Sequence, residues 1–253
     1  MLAAKTRALA GSLKTLKKSG LPVNSGLVLC HVRDEIELLP HFLTHYRSLG
    51  VRRFAFVDNG SIDSTLPFLL DQADCDVFQF LGDFREAAAG MIWKNLLMTE
   101  YRAAPWFLSV DADEHAVYDG WPDLPLDDFA SAMNRNGLAA VTAIMVDMYG
   151  PGPVRETVVA DGASFFDVSP LFDGEGYSVS MPDDWRGDSF PRLVIRGGPI
   201  ERLLGAEKSA WWVKTPLILE PGISFHDPHS VYPPALNFVA PRIALLHFRW
   251  LAS

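Results

Sequence analysis

Short apolar runs alternate with longer amphipathic stretches through the first half of the chain. Leu27 to Val32 is apolar and reads as a strand. Helical spacing follows from Pro40 to Leu49, with Pro40 suited to a first helical turn and Gly50 to a C-terminal cap. Phe54 to Val57 predicts a second strand, the polar turn Asp58-Asn59-Gly60-Ser61 closes it, and a helix is expected from Ser64 to Ala73. Val77 to Phe80 gives a third strand, Arg85 to Ala104 a long helix stopped by Pro105, and Trp106 to Val110 a fourth strand. Strands and helices in alternation predict an α/β fold with a parallel sheet covered by helices. Beyond Asp128 the rhythm changes to a helix ending near Asn136, a long apolar strand from Ala139 to Val146, and then a stretch rich in Gly, Pro and aromatics. Further strands are expected at Leu193 to Ile195 and Leu217 to Leu219. No linker divides the chain, so one domain over 1–253 is expected.

Ligands of open parallel sheets bind beyond the carboxyl ends of the strands, which makes the residues after each strand the candidates. After the first strand come Arg33, Asp34 and Glu35; after the second, Asp58 through Asp63; after the fourth, Asp111-Ala112-Asp113-Glu114. An Asp-x-Asp turn presents two carboxylates to a hard divalent cation, which can also bind phosphate oxygens. The pattern alone is weak, because Asp74-Cys75-Asp76 matches it too; Asp74 precedes a strand, whereas Asp111 follows one. Asp63 suits a helix cap. His247 lies in an apolar strand-like run, where a lone histidine is commonly a core group. His226 and His229 flank Pro228, which argues against a helical metal pair.

Composition narrows the function classes. A net charge of -9 disfavours a general nucleic-acid binder. Cys30 and Cys75 are the two cysteines, too few for a disulfide framework or a four-cysteine zinc site, and a reducing cytoplasm is expected. No apolar run is long enough to span a bilayer. Residues 1–20 carry Lys5, Arg7, Lys14, Lys17 and Lys18 without an acid, interleaved with leucines. A solvated terminus is the expected reading of this segment; a basic amphipathic helix in peripheral contact with the inner face of a membrane is the alternative.

Several of these residues carry a family resemblance. Arg33-Asp34-Glu35 through His45-Tyr46 and Leu49-Gly50-Val51, then Phe56-Val57-Asp58-Asn59-Gly60-Ser61-Ile62-Asp63-Ser64-Thr65, resemble the start of a family 2 type glycosyltransferase. Trp106 to Glu114 resembles its Asp-x-Asp (DXD) segment. The branch it is most similar to is a small bacterial group that resembles family 92 enzymes. The second half matches more thinly, through Asp147-Met148-Tyr149, Thr215-Pro216-Leu217 and Leu246-His247-Phe248-Arg249-Trp250.

The resemblance implies a GT-A fold: a single Rossmann-like mixed sheet flanked by helices, with a nucleotide-sugar half at about 27–128 and an acceptor-side half at about 139–250. It implies that Arg33 and Glu35 lie beside the nucleotide and that Asp58 contacts the base. Asp113 and His247 would bind Mn2+ or Mg2+, and Asp111 would approach the ribose or the metal. The family more often has asparagine at the position of Asp34. The implied activity is inverting transfer of a sugar from a nucleoside-diphosphate sugar to a carbohydrate or glycolipid acceptor, in surface polysaccharide or glycolipid synthesis. Its general base comes from the second half. Asp183, Asp184, Asp188, Glu156 and Glu207 are the candidates, and Asp184, beside Trp185, is preferred. The residues leave two alternatives. A nucleotidyl or phosphoryl transferase should show a glycine-rich loop after the first strand, which Arg33-Asp34-Glu35 lacks. A non-catalytic sugar-binding relative would tolerate loss of Asp113.

Overall fold

The computed structural model describes residues 11–22, 25–159, 163–180, 194–205 and 213–251. In chain order the strands are β1 (Lys14–Lys17), β2 (Leu27–Val32), β3 (Phe54–Asp58), β4 (Cys75–Gln79), β5 (Phe107–Ser109), β6 (Glu114–Tyr118), β7 (Ala140–Asp147), β8 (Ser178–Ser180), β9 (Val194–Arg196), β10 (Val213–Ile218), β11 (Ser224–Phe225), β12 (Val231–Tyr232) and β13 (Ile243–His247). The helices are α1 (Leu39–Ser48), α2 (Thr65–Asp71), α3 (Met91–Glu100), α4 (Leu126–Arg135), α5 (Phe165–Val168) and α6 (Gly198–Leu204).

Nine strands form one mixed sheet in the order β1-β4-β3-β2-β5-β10-β7-β13-β6. Strands β2, β3, β4 and β5 are parallel, as expected for strands joined through helices. Beyond β5 the sheet becomes mixed: β10 runs antiparallel to both β5 and β7, β13 is parallel to β7, and β6 is antiparallel to β13. Alternate strand residues feed opposite faces. Val28, Cys30 and Val32 pack with Phe42 and Tyr46 of α1 and Phe129 of α4, whereas Leu27 and Leu29 pack with Met91, Trp93 and Leu97 of α3. Both faces of the sheet are thus covered, the mixed α/β arrangement that the GT-A resemblance implies.

The differences from expectation have local causes. The long helix begins at Met91 rather than Arg85. Asp83 closes a turn by accepting from Arg85 N (2.8 Å), and Ala88, Ala89 and Gly90 hold φ of 51°, 54° and 84°, outside the right-handed helix. Gly90 also lies against His31, where a Cβ would meet Nδ1 at 3.1 Å. Residues 14–17 form an edge strand on β4 instead of part of a basic helix, and residues 1–10 lie outside the described residues. Strand β6 directly follows the Asp-x-Asp turn and was not expected, and β10 starts at Val213, ahead of the expected Leu217. Of the expected strand at 193–195, Leu193 lies outside the described residues and β9 begins at Val194. Among the described residues no helix is long and apolar enough to cross a membrane.

Candidate functional site

The strand directions bring distant residues to one edge. The carboxyl ends of β2, β5, β7 and β13 lie beside the amino ends of the antiparallel β10 and β6. His31, Asp111, Asp147 and His247 therefore meet Lys214 and Glu114. The register fixes part of this: His247 is opposite Glu114 on one side and Asp147 on the other. Helix α3 adds Lys94 from above the sheet.

Two charge groups result. In the first, Lys214 Nζ donates to Glu114 Oε2 (2.6 Å) and Oε1 (2.9 Å) and to Asp111 Oδ2 (3.2 Å). Lys214 and Glu114 are almost wholly buried. Burial opposes the charge on Lys214, but Asp111 and Glu114 overcome it and raise its pKa. Burial likewise opposes ionisation of Asp111, yet Lys214 and then Lys94 hold its carboxyl well below the usual range. Lys94 Nζ is 3.6 Å from Asp111 Oδ1. In the second group, His247 bridges two carboxylates, with Nδ1 2.8 Å from Asp147 Oδ1 and Nε2 3.0 Å from Asp113 Oδ2. Burial opposes its charge, but the bonds to Asp113 and Asp147 raise its pKa to about 10. The Asp113 turn is tied to the same strand, since Phe248 N donates to Asp113 O (2.8 Å).

Glu35 reports the sign of the local field. Burial first, then Asp113 and Asp111, push its carboxyl up to about 7. Five carboxylates, those of Glu35, Asp111, Asp113, Glu114 and Asp147, face two lysines and the imidazoles of His31 and His247, an excess of negative charge that suits a divalent cation. Among the described residues no three His, Cys, Asp or Glu side chains are grouped to cage a metal. Asp113 and His247 nevertheless fit a sparser role: one carboxylate and one imidazole, with Asp147 orienting the ring from behind as outer carboxylates do at metal-bound histidines. Mg2+ sites of this kind leave the remaining positions to water and phosphate. Asp111, expected as a further ligand, has Oδ2 bonded to Lys214 and Oδ1 facing Lys94. Its charge is already compensated, which sets it apart from the Asp113–His247 pair.

The loops after β2 and β3 use their acids differently. Asp58 is fully buried, and its carboxylate accepts from Gly60 N (3.1 Å), Ser61 N (3.2 Å) and Gln79 Nε2 (3.0 Å). In this arrangement it shapes its own loop rather than presenting oxygens to a base. Asp34 Oδ1 accepts from Ile62 N (2.7 Å) and Asp63 N (3.3 Å), joining the two loops. Its φ of 56° is the left-handed region that asparagine also tolerates, which gives a backbone reason for the family's asparagine. Asp63 accepts from Thr65 N at the start of α2 (2.8 Å) and from Ile36 N (3.3 Å). Arg33 is exposed and lies 3.8 Å from Asp34. The decoy Asp74-Cys75-Asp76 is structural: Asp74 pairs with Arg47, and buried Asp76 with Arg53 and Tyr101.

Asp184, Asp183, Asp188 and Glu207 lie outside the described residues, as does Trp185. Glu156 is exposed and pairs with Arg155. Lys214 is not among the residues the sequence singles out, and Glu114 stands there only as the last residue of the Asp-x-Asp turn, without a role of its own. Glu114 is signalled by its place in the turn, whereas Lys214 lies at the amino end of an antiparallel strand and so follows no strand.

No protein-family model matches the chain, and no curated protein matches it. Among solved structures, the crystal structure of S. aureus TarS is similar at 14% identity and a TM-score of 0.37, over 54% of this chain and 24% of that chain. The chain thus spans about a quarter of the TarS chain, a likeness too slight to bear on activity.

Proposed function

We propose that the protein is a GT-A glycosyltransferase that moves a sugar from a nucleoside-diphosphate sugar to a carbohydrate or glycolipid hydroxyl, with inversion. The observation that carries this reading is the Asp113–His247–Asp147 chain beside the lysine-compensated Asp111 and Glu114, at the sheet edge where ligands bind. It coincides with the positions that the sequence resemblance assigns to the donor.

Asp113 and His247 would hold Mn2+ or Mg2+, which when bound supplies a Lewis acid for the diphosphate. The chain's own part follows from its charges. Negative charge grows on the departing diphosphate, and fixed cations lower its energy without reorganising. Lys214, its charge balanced by Glu114 and Asp111, holds those two carboxylates in place at the edge. Asp147 fixes the plane of His247, so that Nε2 points at Asp113. Arg33, exposed on the β2 loop, is placed to approach a nucleotide. The acceptor hydroxyl must lose a proton, and Asp184 is the proposed base.

The deciding experiment is a donor screen that measures nucleoside diphosphate release with and without manganese. Release from one donor, dependent on the cation and on Asp113, is expected. Asp184→Asn should retain donor binding while transfer falls by roughly 100-fold or more. Release from no donor, or a screen indifferent to Asp113→Asn, would overturn the reading.

A further inference from the structure

Strand β6 begins where the Asp-x-Asp turn ends, and it lies at the end of the sheet order, with β13 on one side and, among the described residues, no strand on the other. In an antiparallel pair every second residue turns its N–H and C=O away from the partner. In β6 those residues include Glu114 and Ala116, both buried, so their outward groups need partners other than water. Helix α1 answers with two consecutive side chains. Tyr46 donates its hydroxyl to Glu114 O (2.8 Å) and accepts with it from Ala116 N (3.2 Å), while His45 Nε2 donates to Ala116 O (2.9 Å).

One hydroxyl and one imidazole thus stand in for a neighbouring strand where β6 starts. The chemistry is specific. An apolar ring in place of Tyr46 would fill the same space and leave two backbone groups unpaired. Burial lowers the His45 pKa to about 4, so its ring is neutral, and because a carbonyl can only accept, the proton sits on Nε2. The ring lies flat on His115 (4.3 Å between centroids, 6° between planes), which fixes its direction.

What these bonds hold is the turn. Glu114 is tied to α1 through its backbone and to Asp111 N and Lys214 through its side chain. From the β13 side, Phe248 N holds Asp113 O. The turn is therefore gripped from both sides, and loosening the α1 side lets the start of β6 move against β13. Asp113 precedes that start by one residue, and its carboxylate is 3.0 Å from His247 Nε2.

We propose that His45 and Tyr46 are positioning residues for the cation site: they close the outer edge of β6 and so keep the Asp113 carboxylate at the separation from His247 at which both reach one ion. This inference rests on the metal-dependent sugar-transfer reading and extends it to a helix that itself touches neither cation nor donor.

The test uses the full chain. Uridine and guanosine diphosphate are first tried on the wild type, and manganese is then titrated calorimetrically in the presence of the one that binds. Tyr46→Phe removes a single oxygen and should weaken manganese binding about tenfold, the loss seen when outer partners of metal ligands are removed. His45→Leu should do the same, whereas His45→Gln, whose amide can still donate to Ala116 O, should stay within about twofold of the wild type. Leu69→Ala, a truncation of a buried core residue on α2, is the control for lost stability and should leave manganese affinity unchanged. If Tyr46→Phe fails to fold, the two His45 variants read the proposal alone. Unchanged affinity in Tyr46→Phe and His45→Leu, an equal loss in His45→Gln and His45→Leu, or an equal loss in Leu69→Ala would overturn the positioning role and leave sugar transfer standing. A wild type that binds no manganese with either diphosphate would overturn the cation site and this inference with it.

Discussion

The loops after β2 and β3 and the strand ends of β6, β7, β10 and β13 are both acidic, but their acids do different work. Asp34, Asp58 and Asp63 accept from backbone N–H groups and hold loops in shape. Asp111, Asp113 and Asp147 meet lysines and a histidine instead, and Glu114 does both, pairing with Lys214 while accepting from Asp111 N (2.9 Å). Carboxylates that answer backbone donors are structural. Those that answer side-chain cations form a charged cluster at the edge where ligands of such sheets bind. The difference comes from the backbone: a loop offers unpaired N–H groups, while strand ends in register have theirs in the ladder and project side chains toward each other.

The largest effect that would break this comparison is expected at Lys214. Lys214→Met leaves Glu114 buried without its partner, which costs about 3–5 kcal/mol. For a chain of this length that is a fall in melting temperature of roughly 10 °C. Arg33→Met, on the exposed loop, should change stability by less than about 0.5 kcal/mol. Equal melting temperatures for the two variants would remove the distinction.

Next comes Asp113. Nucleoside diphosphate with manganese, at about a hundred times its dissociation constant, should stabilise the wild type by about 2.7 kcal/mol. Asp113→Asn should lose that increment while its unliganded melting curve stays near the wild type. A full increment in the variant would remove Asp113 from the metal site.

Asp58→Asn should do the reverse. Replacing an acceptor of two backbone bonds with a side chain that presents an amide costs about 1–3 kcal/mol in the unliganded protein. The cation-dependent increment should remain. Urea unfolding with and without ligand separates the two outcomes, and loss of the increment alone would return Asp58 to the binding site.

The smallest effect sharpens the picture of the field. Glu35 has a folded-state pKa of about 7, above the ordinary carboxylate value, so the folded protein binds its proton more tightly than the unfolded chain does. That contribution is full below about pH 4.5 and is lost as pH rises through 7. Glu35→Gln should therefore melt about 2 °C above the wild type at pH 8 and gain nothing at pH 4. Manganese should shrink the gain, since it would relieve the same repulsion. A gain independent of pH would show that Glu35 does not feel Asp113 and Asp111.

The sequence by itself determined the first half of the fold. Apolar runs at 27–32, 54–57, 77–80 and 106–110, with Pro40 and Gly50 at the helix ends, are local signals, and the β2 to β5 strands appear there. It also singled out Asp111, Asp113 and His247, by position after a strand and by resemblance. Tertiary structure decided the rest. The start of α3 depended on three consecutive left-handed residues that no apolar period reveals. Lys214 became part of the site because β10 enters the sheet antiparallel between β5 and β7, which puts the start of that strand at the edge where its neighbours end. His247 meets Asp113 across 134 positions because β13 pairs with β6 and β7 in one register. A one-residue slip would turn its ring to the other face of the sheet, and that pairing is set by long-range burial rather than by the residues around His247.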